Sequence, residues 1–113
     1  MPPQNCIFCK ILSQEIPSTI IAQNELVIAI KDIAPKAPVH YLIIPKKHIR
    51  DIQSLEKEDA SYAAAMLLMA QELSMQLPQG GAVKLVMNNG AQAGQSVFHL
   101  HCHFLSGKVM LEL

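Results

Sequence analysis

Histidine recurs at every second position, His99, His101 and His103, in the run Gly94-Gln95-Ser96-Val97-Phe98-His99-Leu100-His101-Cys102-His103-Phe104-Leu105. The run has strand chemistry: apolar, aromatic and β-branched residues, no proline, and strict alternation from Phe98 onward. Successive side chains of a strand point to opposite faces. The three imidazoles therefore share one face, and Phe98, Leu100, Cys102 and Phe104 share the other. An imidazole buried without a partner costs about 1–3 kcal/mol, so three on one face are hard to explain as packing. Imidazole titrates near neutrality and serves as nucleophile, acid, base or metal ligand. His99 and His103 start roughly 13 Å apart along a straight strand, too far to share one ion through bonds of about 2.0–2.1 Å. Neighbours such as His99 and His101 can share an ion; the whole array suggests divided labour.

A second group of candidates lies upstream. Cys6 and Cys9, three residues apart, fall on one face of a short helix expected from about Cys6 to Ser13 with Asn5 as its cap. Cys-x-x-Cys is a half-site for zinc, the spacing of a redox dithiol, or two buried thiols; no thioredoxin-like βαβ context surrounds it. His48, in the basic segment Lys46-Lys47-His48-Ile49-Arg50, gains interest because such a half-site is two ligands short. The lysines and arginine there read as a solvated rim. Asp32 stands at a strand end, where a carboxylate either faces a ligand or starts a turn.

The elements that must position these residues follow from the pattern. Thr19–Gln23 and Leu26–Lys31 read as strands joined by Asn24-Glu25. Asp32–Pro38 is a loop with two prolines. Val39–Ile44 is a third strand, carrying His40 and ended by Pro45. A helix is expected from roughly Lys57 to Leu77. Acidic Glu56, Glu58 and Asp59 suit its N-terminal dipole, and Tyr62, Met66, Ala70, Leu73 and Leu77 mark its apolar stripe. Pro78 and Gly80-Gly81 stop it. Val83–Met87 is a fourth strand, and the turn-rich Asn88–Gly94 leads into the histidine run. The order α-β-β-β-α-β-β predicts an α+β fold: an antiparallel sheet of about five strands, a long helix on one face and a short N-terminal helix.

Composition narrows the function. With 113 residues the chain suits a single domain, residues 1–113, and half of it is hydrophobic. Nine basic and nine acidic residues cancel, which argues against a nucleic-acid footprint. No run of about 18 apolar residues suggests a membrane span. No secretory pattern is visible at Met1-Pro2-Pro3-Gln4-Asn5, and three cysteines is an odd count, so a reducing, cytoplasmic setting is expected. Rossmann and P-loop glycine fingerprints are absent.

Gln95–Leu105, with its His-x-His-x-His core, resembles the signature of the histidine-triad (HIT) family. Asp32-Ile33-Ala34-Pro35-Lys36-Ala37-Pro38-Val39-His40, Ile44-Pro45-Lys46-Lys47-His48-Ile49, Cys6-Ile7-Phe8-Cys9-Lys10-Ile11 and Glu15-Ile16-Pro17 resemble it too, so the similarity spans nearly the whole chain. Ser96 after Gln95 is similar to the Hint branch rather than to the dinucleoside-polyphosphate hydrolases.

The resemblance implies a homodimer with a continuous sheet, acting at the α-phosphate of purine nucleotides such as adenosine 5′-phosphoramidates. It implies that His101 is the nucleophile, with His40 and His103 completing the histidine cluster. Asp32 would bind the ribose and Ile33 the base, while Asn88, Gly94, Gln95 and Ser96 would surround the phosphate and leaving group. AMP would be a ligand. Cys6, Cys9, His48 and His99 would hold a structural zinc, and no catalytic metal would be required. The resemblance does not extend to the aromatic-containing C-terminal tail of many Hint proteins, since the sequence reaches only Glu112-Leu113.

A neutral imidazole with one free nitrogen can attack phosphorus, splitting hydrolysis into two steps. Ser96 is placed to relay a proton to the amine, and backbone amides of Gly94-Gln95-Ser96 are expected to cradle the phosphate. The alternatives are a nucleotide-binding module with little turnover, a dinucleoside polyphosphate hydrolase, and a zinc hydrolase using the triad as ligands.

Overall fold

The computed structural model describes residues 5–78 and 81–107. The first four residues, Gly80 of the helix-stop signal and the C-terminal Glu112-Leu113 lie outside them. The elements are α1 (Ile7–Leu12), β1 (Ile20–Gln23), β2 (Val27–Lys31), β3 (Val39–Pro45), α2 (Ala60–Met75), β4 (Val83–Val86) and β5 (Cys102–Ser106), with short 3-10 turns at Ile52–Ser54, Lys57–Asp59 and Ala91–Ala93. The strands form one sheet in the order β1-β2-β3-β5-β4, every pair antiparallel. The α+β architecture is the expected one.

Strand alternation gives the sheet two apolar faces. Val27, Ala29, Ile43, Leu100, Cys102 and Phe104 pack against Ala65, Met66, Met69, Ala70 and Leu73 of α2. Ile28, Ile30, Leu42 and Ile44 pack on the other side against Cys6 and Phe8 at α1. Phe104 and Ile43 are fully buried; burying a side chain of that size stabilises by roughly 1.5–3 kcal/mol. His40 belongs to the same parity as Leu42 and Ile44, and His103 lies opposite both Leu42 and Val86. The imidazoles thus arrive on the α1 face.

Several local expectations are corrected. The Cys6 thiol, not Asn5, caps α1, accepting the Cys9 N–H at 3.3 Å. The histidine run enters the ladder only at Cys102. Before that, the Leu100 N–H bonds the Ile49 carbonyl at 2.6 Å, a link to the basic segment that holds the chain off regular strand pairing. Phe98, expected to share a face with Leu100, Cys102 and Phe104, does not join them in the core but stays 36% exposed beneath the Arg50 guanidinium. Pro45 is the last residue of β3 rather than the first beyond it. Lys47 is not simply a solvated rim charge. It pairs with the buried Asp59, and this bond, first, together with the Glu56 N–H, holds the Asp59 carboxyl below its usual range. The pair ties the segment carrying His48 to the start of α2. The buried face of α2 is wider than the expected stripe, and its opposite side is apolar as well: Leu67, Leu68 and Met75 are exposed.

Candidate functional site

His99 is fully buried. Its Nε2–H donates to the Pro45 carbonyl at 2.9 Å, which leaves the Nδ1 lone pair facing Cys6 Sγ at 3.4 Å and Cys9 Sγ at 3.6 Å. His48 Nδ1 lies 3.2 Å from His99 Nδ1 and 3.3 Å from Cys9 Sγ. These four ligand atoms all fall within 4.8 Å of one another and could hold a metal ion. A tetrahedral ion with bonds of about 2.0–2.3 Å to nitrogen and sulfur spaces its ligands roughly 3.3–3.8 Å apart, which the contacts match. Burial, with hydrogen bonding to Cys6 next, pushes the Cys9 thiol up to about 12; a coordinated cation reverses that preference, because it deprotonates the thiol. Burial pushes His99 down to about 4, keeping it neutral, the ligating form.

The carbonyl of His99 does a second task. It accepts the Nδ1–H of His101 at 2.7 Å. The His101 proton is thereby fixed on Nδ1, and its Nε2 carries a lone pair. Burial, the dominant influence, lowers the His101 pKa and favours this neutral tautomer. Phe8 of α1 meets both rings edge-on, 5.8 Å from His99 and 5.0 Å from His101 between centroids.

His103 makes the third environment. The Lys36 N–H donates to His40 Nδ1 at 3.1 Å, so neutral His40 carries its proton on Nε2. That proton faces His103 Nδ1 at 2.9 Å and Asp32 Oδ2 at 3.4 Å. With Nδ1 accepting, His103 carries its own proton on Nε2. Burial is the first cause lowering the pKa of both rings. Asp32, His40 and His103 are also close enough to suggest a metal. The Lys36 hydrogen bond argues otherwise, since it keeps a proton on the His40 nitrogen an ion would need. The trio is better suited to relaying a donor to His103.

His101 and His103 line a cavity of about 510 Å³ together with Asp32, Ile33, Asn88, Gly94 and Ser96. Its apolar wall comes from Ile7, Phe8 and Ile11 of α1 with Ile30 and Leu42 of the sheet. Ile33 stands at the rim, 98% exposed. Of the expected nucleotide-site residues, Gln95 alone turns its side chain away. It is buried, donates from Nε2 to the Arg50 and Val97 carbonyls at 3.0 and 3.1 Å, and accepts the Gly90 N–H at 2.8 Å. His40 stands behind His103 in an adjoining 220 Å³ cavity. The expected amide cradle is corrected in part: the Gly94 and Gln95 N–H groups already donate to Ala91 and Gly90 carbonyls within the loop. Gly94 has φ +98°, a conformation that favours glycine. Sequence reading passed over Phe8 and the Pro45 carbonyl; an aromatic between the two cysteines was the available signal for the first, and nothing local signals the second.

A five-stranded antiparallel sheet that distributes alternating histidines between a metal-type cluster and an open cavity defines a histidine-triad type of protein. A family model described as "Scavenger mRNA decapping enzyme C-term binding" matches residues 5–112. An uncharacterized HIT-like protein of Synechocystis is 44% identical over 105 residues, 93% of this chain and 92% of the relative. A HIT family hydrolase from Clostridium thermocellum is 43% identical with TM-score 0.91, covering 99% of this chain and 98% of that one. A histidine triad protein from Clostridium difficile is 32% identical at the same TM-score of 0.91, covering 100% and 99%. The chain belongs to the HIT family.

Replacing Gln95 by Leu should destabilise the protein by about 1–3 kcal/mol, because buried backbone groups lose their partner. Urea unfolding measures this; a change under 0.5 kcal/mol would show that water replaces the amide without loss.

Proposed function

We propose that this protein hydrolyses purine nucleoside phosphoramidates at the α-phosphate, or transfers the nucleotidyl group, through a covalent intermediate on His101, as in the Hint branch. The observation that carries the reading is the 2.7 Å bond from His101 Nδ1–H to the His99 carbonyl, in a side chain that lines the 510 Å³ cavity. His101 Nε2 attacks phosphorus. The phosphorus–nitrogen bond breaks, its electron pair leaves with the amine, and the Ser96 hydroxyl relays the proton that the amine takes up. Water then displaces the imidazole and releases a nucleoside monophosphate. Phosphoryl-type transition states need alignment and charge stabilisation; the His103 Nε2–H, supported by His40, and the Asn88 amide supply donors. Asp32 takes ribose hydroxyls, and a purine lies against Ile7, Ile11, Ile30 and Leu42, covering Ile33. The name of the Clostridium thermocellum relative, a HIT family hydrolase, supports hydrolysis.

The same reading makes Cys6, Cys9, His48 and His99 a closed structural zinc site; the two-thiolate, two-imidazole set is a usual one for zinc. Bound there, zinc supplies folding energy and holds α1 against the sheet. The reading further implies a homodimer. The edge strand β4 exposes Leu85, and Met87 follows it; together with Leu67 of α2 they border an apolar groove of about 310 Å³. Among the described residues β4 is the outermost strand of the sheet, and exposed leucines beside it are suited to a second copy.

His101→Ala should abolish turnover while changing nucleotide affinity by no more than about tenfold, or 1.4 kcal/mol. Intact-mass analysis of the wild type after brief mixing with an adenosine phosphoramidate should show one added nucleotidyl group, absent in the variant; appreciable turnover by the variant refutes the assignment. Protein purified without chelator should contain about one zinc per chain. Cys9→Ser, or chelation, should lower both the melting temperature and nucleotide affinity, because α1 supplies Ile7, Phe8 and Ile11 to the cavity. Identical melting with and without chelator would dismiss the zinc site. Sedimentation at micromolar concentration should give a dimer that Leu67→Glu converts to monomer; a monomeric wild type overturns the pairing.

A further inference from the structure

Beside the nucleotide cavity lies another of about 410 Å³ that borders the metal-type cluster and is lined by Asn5, Ile7, Arg50, Ser96, Val97 and Phe98. Ile7, Ser96 and Val97 belong to both. Its volume falls in the range of small-molecule sites, roughly 300–1,000 Å³. A molecule whose nucleotide half fills the first cavity therefore reaches the second by passing Ser96, the residue placed to serve the departing amine.

The second cavity differs in character from the first. Arg50 supplies its charge, and the guanidinium lies 4.7 Å from the Phe98 ring centroid. Stacking of this kind limits where the cation can go. The Arg50 backbone is held as well: its carbonyl accepts from buried Gln95 Nε2, and its neighbour Ile49 accepts the Leu100 N–H. Asp51 Oδ2 sits 3.4 Å from Arg50 Nε, while Asp51 Oδ1 is occupied by the Ser54 N–H and hydroxyl. This is an ion pair at Nε, and a guanidinium carries five N–H donors in all. A planar cation with further donors matches a carboxylate in two-point geometry.

We infer that this second cavity is the leaving-group subsite and that Arg50, stacked on Phe98, makes it selective for amines bearing a carboxylate, the chemistry of an amino acid. The inference rests on the reading of His101 as nucleophile and specifies the substrate class of that site. Phe98, exposed while Leu100, Cys102 and Phe104 of the same expected face are buried, is explained by this arrangement as the platform for the cation.

The test uses two adenosine phosphoramidates that differ only in the leaving group, one with an amino acid carrying its free carboxylate and one with the methyl ester of the same amino acid. The ratio of kcat/KM for acid over ester is measured for the wild type, Arg50→Ala and Arg50→Glu. Binding of the same pair to His101→Ala, with and without each Arg50 substitution, is measured by calorimetry. The wild type should favour the acid by about fivefold, the size of a partly screened charge-assisted contact. Arg50→Ala should bring the ratio to about one and Arg50→Glu should invert it; such a sign change does not follow from a loss of stability. Equal losses on both compounds, or an unchanged ratio, overturn the subsite while leaving His101 as nucleophile. Absence of wild-type turnover with an Arg50-dependent binding ratio supports the subsite and removes His101 from the nucleophile role. Absence of both turnover and Arg50-dependent binding overturns both.

Discussion

His99 is the residue on which the rest of the site depends. Its ring is fully buried, with Nε2–H committed to the Pro45 carbonyl and Nδ1 turned to two thiols and a second imidazole. Its own carbonyl sets the tautomer of His101. One residue therefore joins the metal-type cluster to His101, the proposed nucleophile, through two bonds. Moving the His99 backbone enough to lose Pro45 would also misplace the His101 proton. The constraint is electrostatic as well as geometric, since a buried imidazole with no acceptor for its N–H would be costly.

Helix α1 gains its importance from the same link. It has only six residues and has little intrinsic stability as a helix. Yet it carries Cys6 and Cys9 into the cluster, lays Phe8 edge-on against His99 and His101, and contributes Ile7 and Ile11 to the cavity wall. A metal held by its two cysteines would supply the anchoring that the helix lacks by itself. The cluster adjoins the cavity that His101 lines, and the proposed leaving-group cavity lies where the two meet.

The proton of each imidazole at the cavity traces to a backbone group, directly for His101 and His40 and through the His40 ring for His103. The Lys36 N–H acts on His40, and His40 in turn acts on His103. The His99 carbonyl acts on His101. The outcome is one imidazole with a free lone pair beside another that presents a donor. This pairing suits attack on an anionic phosphorus centre, where nucleophile and charge stabiliser must coexist without either needing to be cationic.

Much of this was legible in the sequence. Alternation placed His99, His101 and His103 opposite Leu100, Cys102 and Phe104, and the Cys-x-x-Cys spacing marked a chelating half-site; both follow from short-range geometry, which residue order determines. The five-stranded α+β sheet followed from the succession of apolar runs and turns for the same reason. Tertiary structure alone decided that the histidine run joins the ladder only at Cys102, that Phe98 faces outward under Arg50, that Gln95 braces the loop and that Lys47 meets buried Asp59. Each of these depends on a partner distant in the chain: Ile49 for Leu100, Arg50 for Gln95 and Phe98, the start of α2 for Lys47. The proton positions belong to the same class, because the carbonyls of Pro45 and His99 and the N–H of Lys36 act only once the sheet has brought them to the rings. Spacing along the chain determines which side chains can share a face; which nitrogen holds the proton is decided by what that face meets.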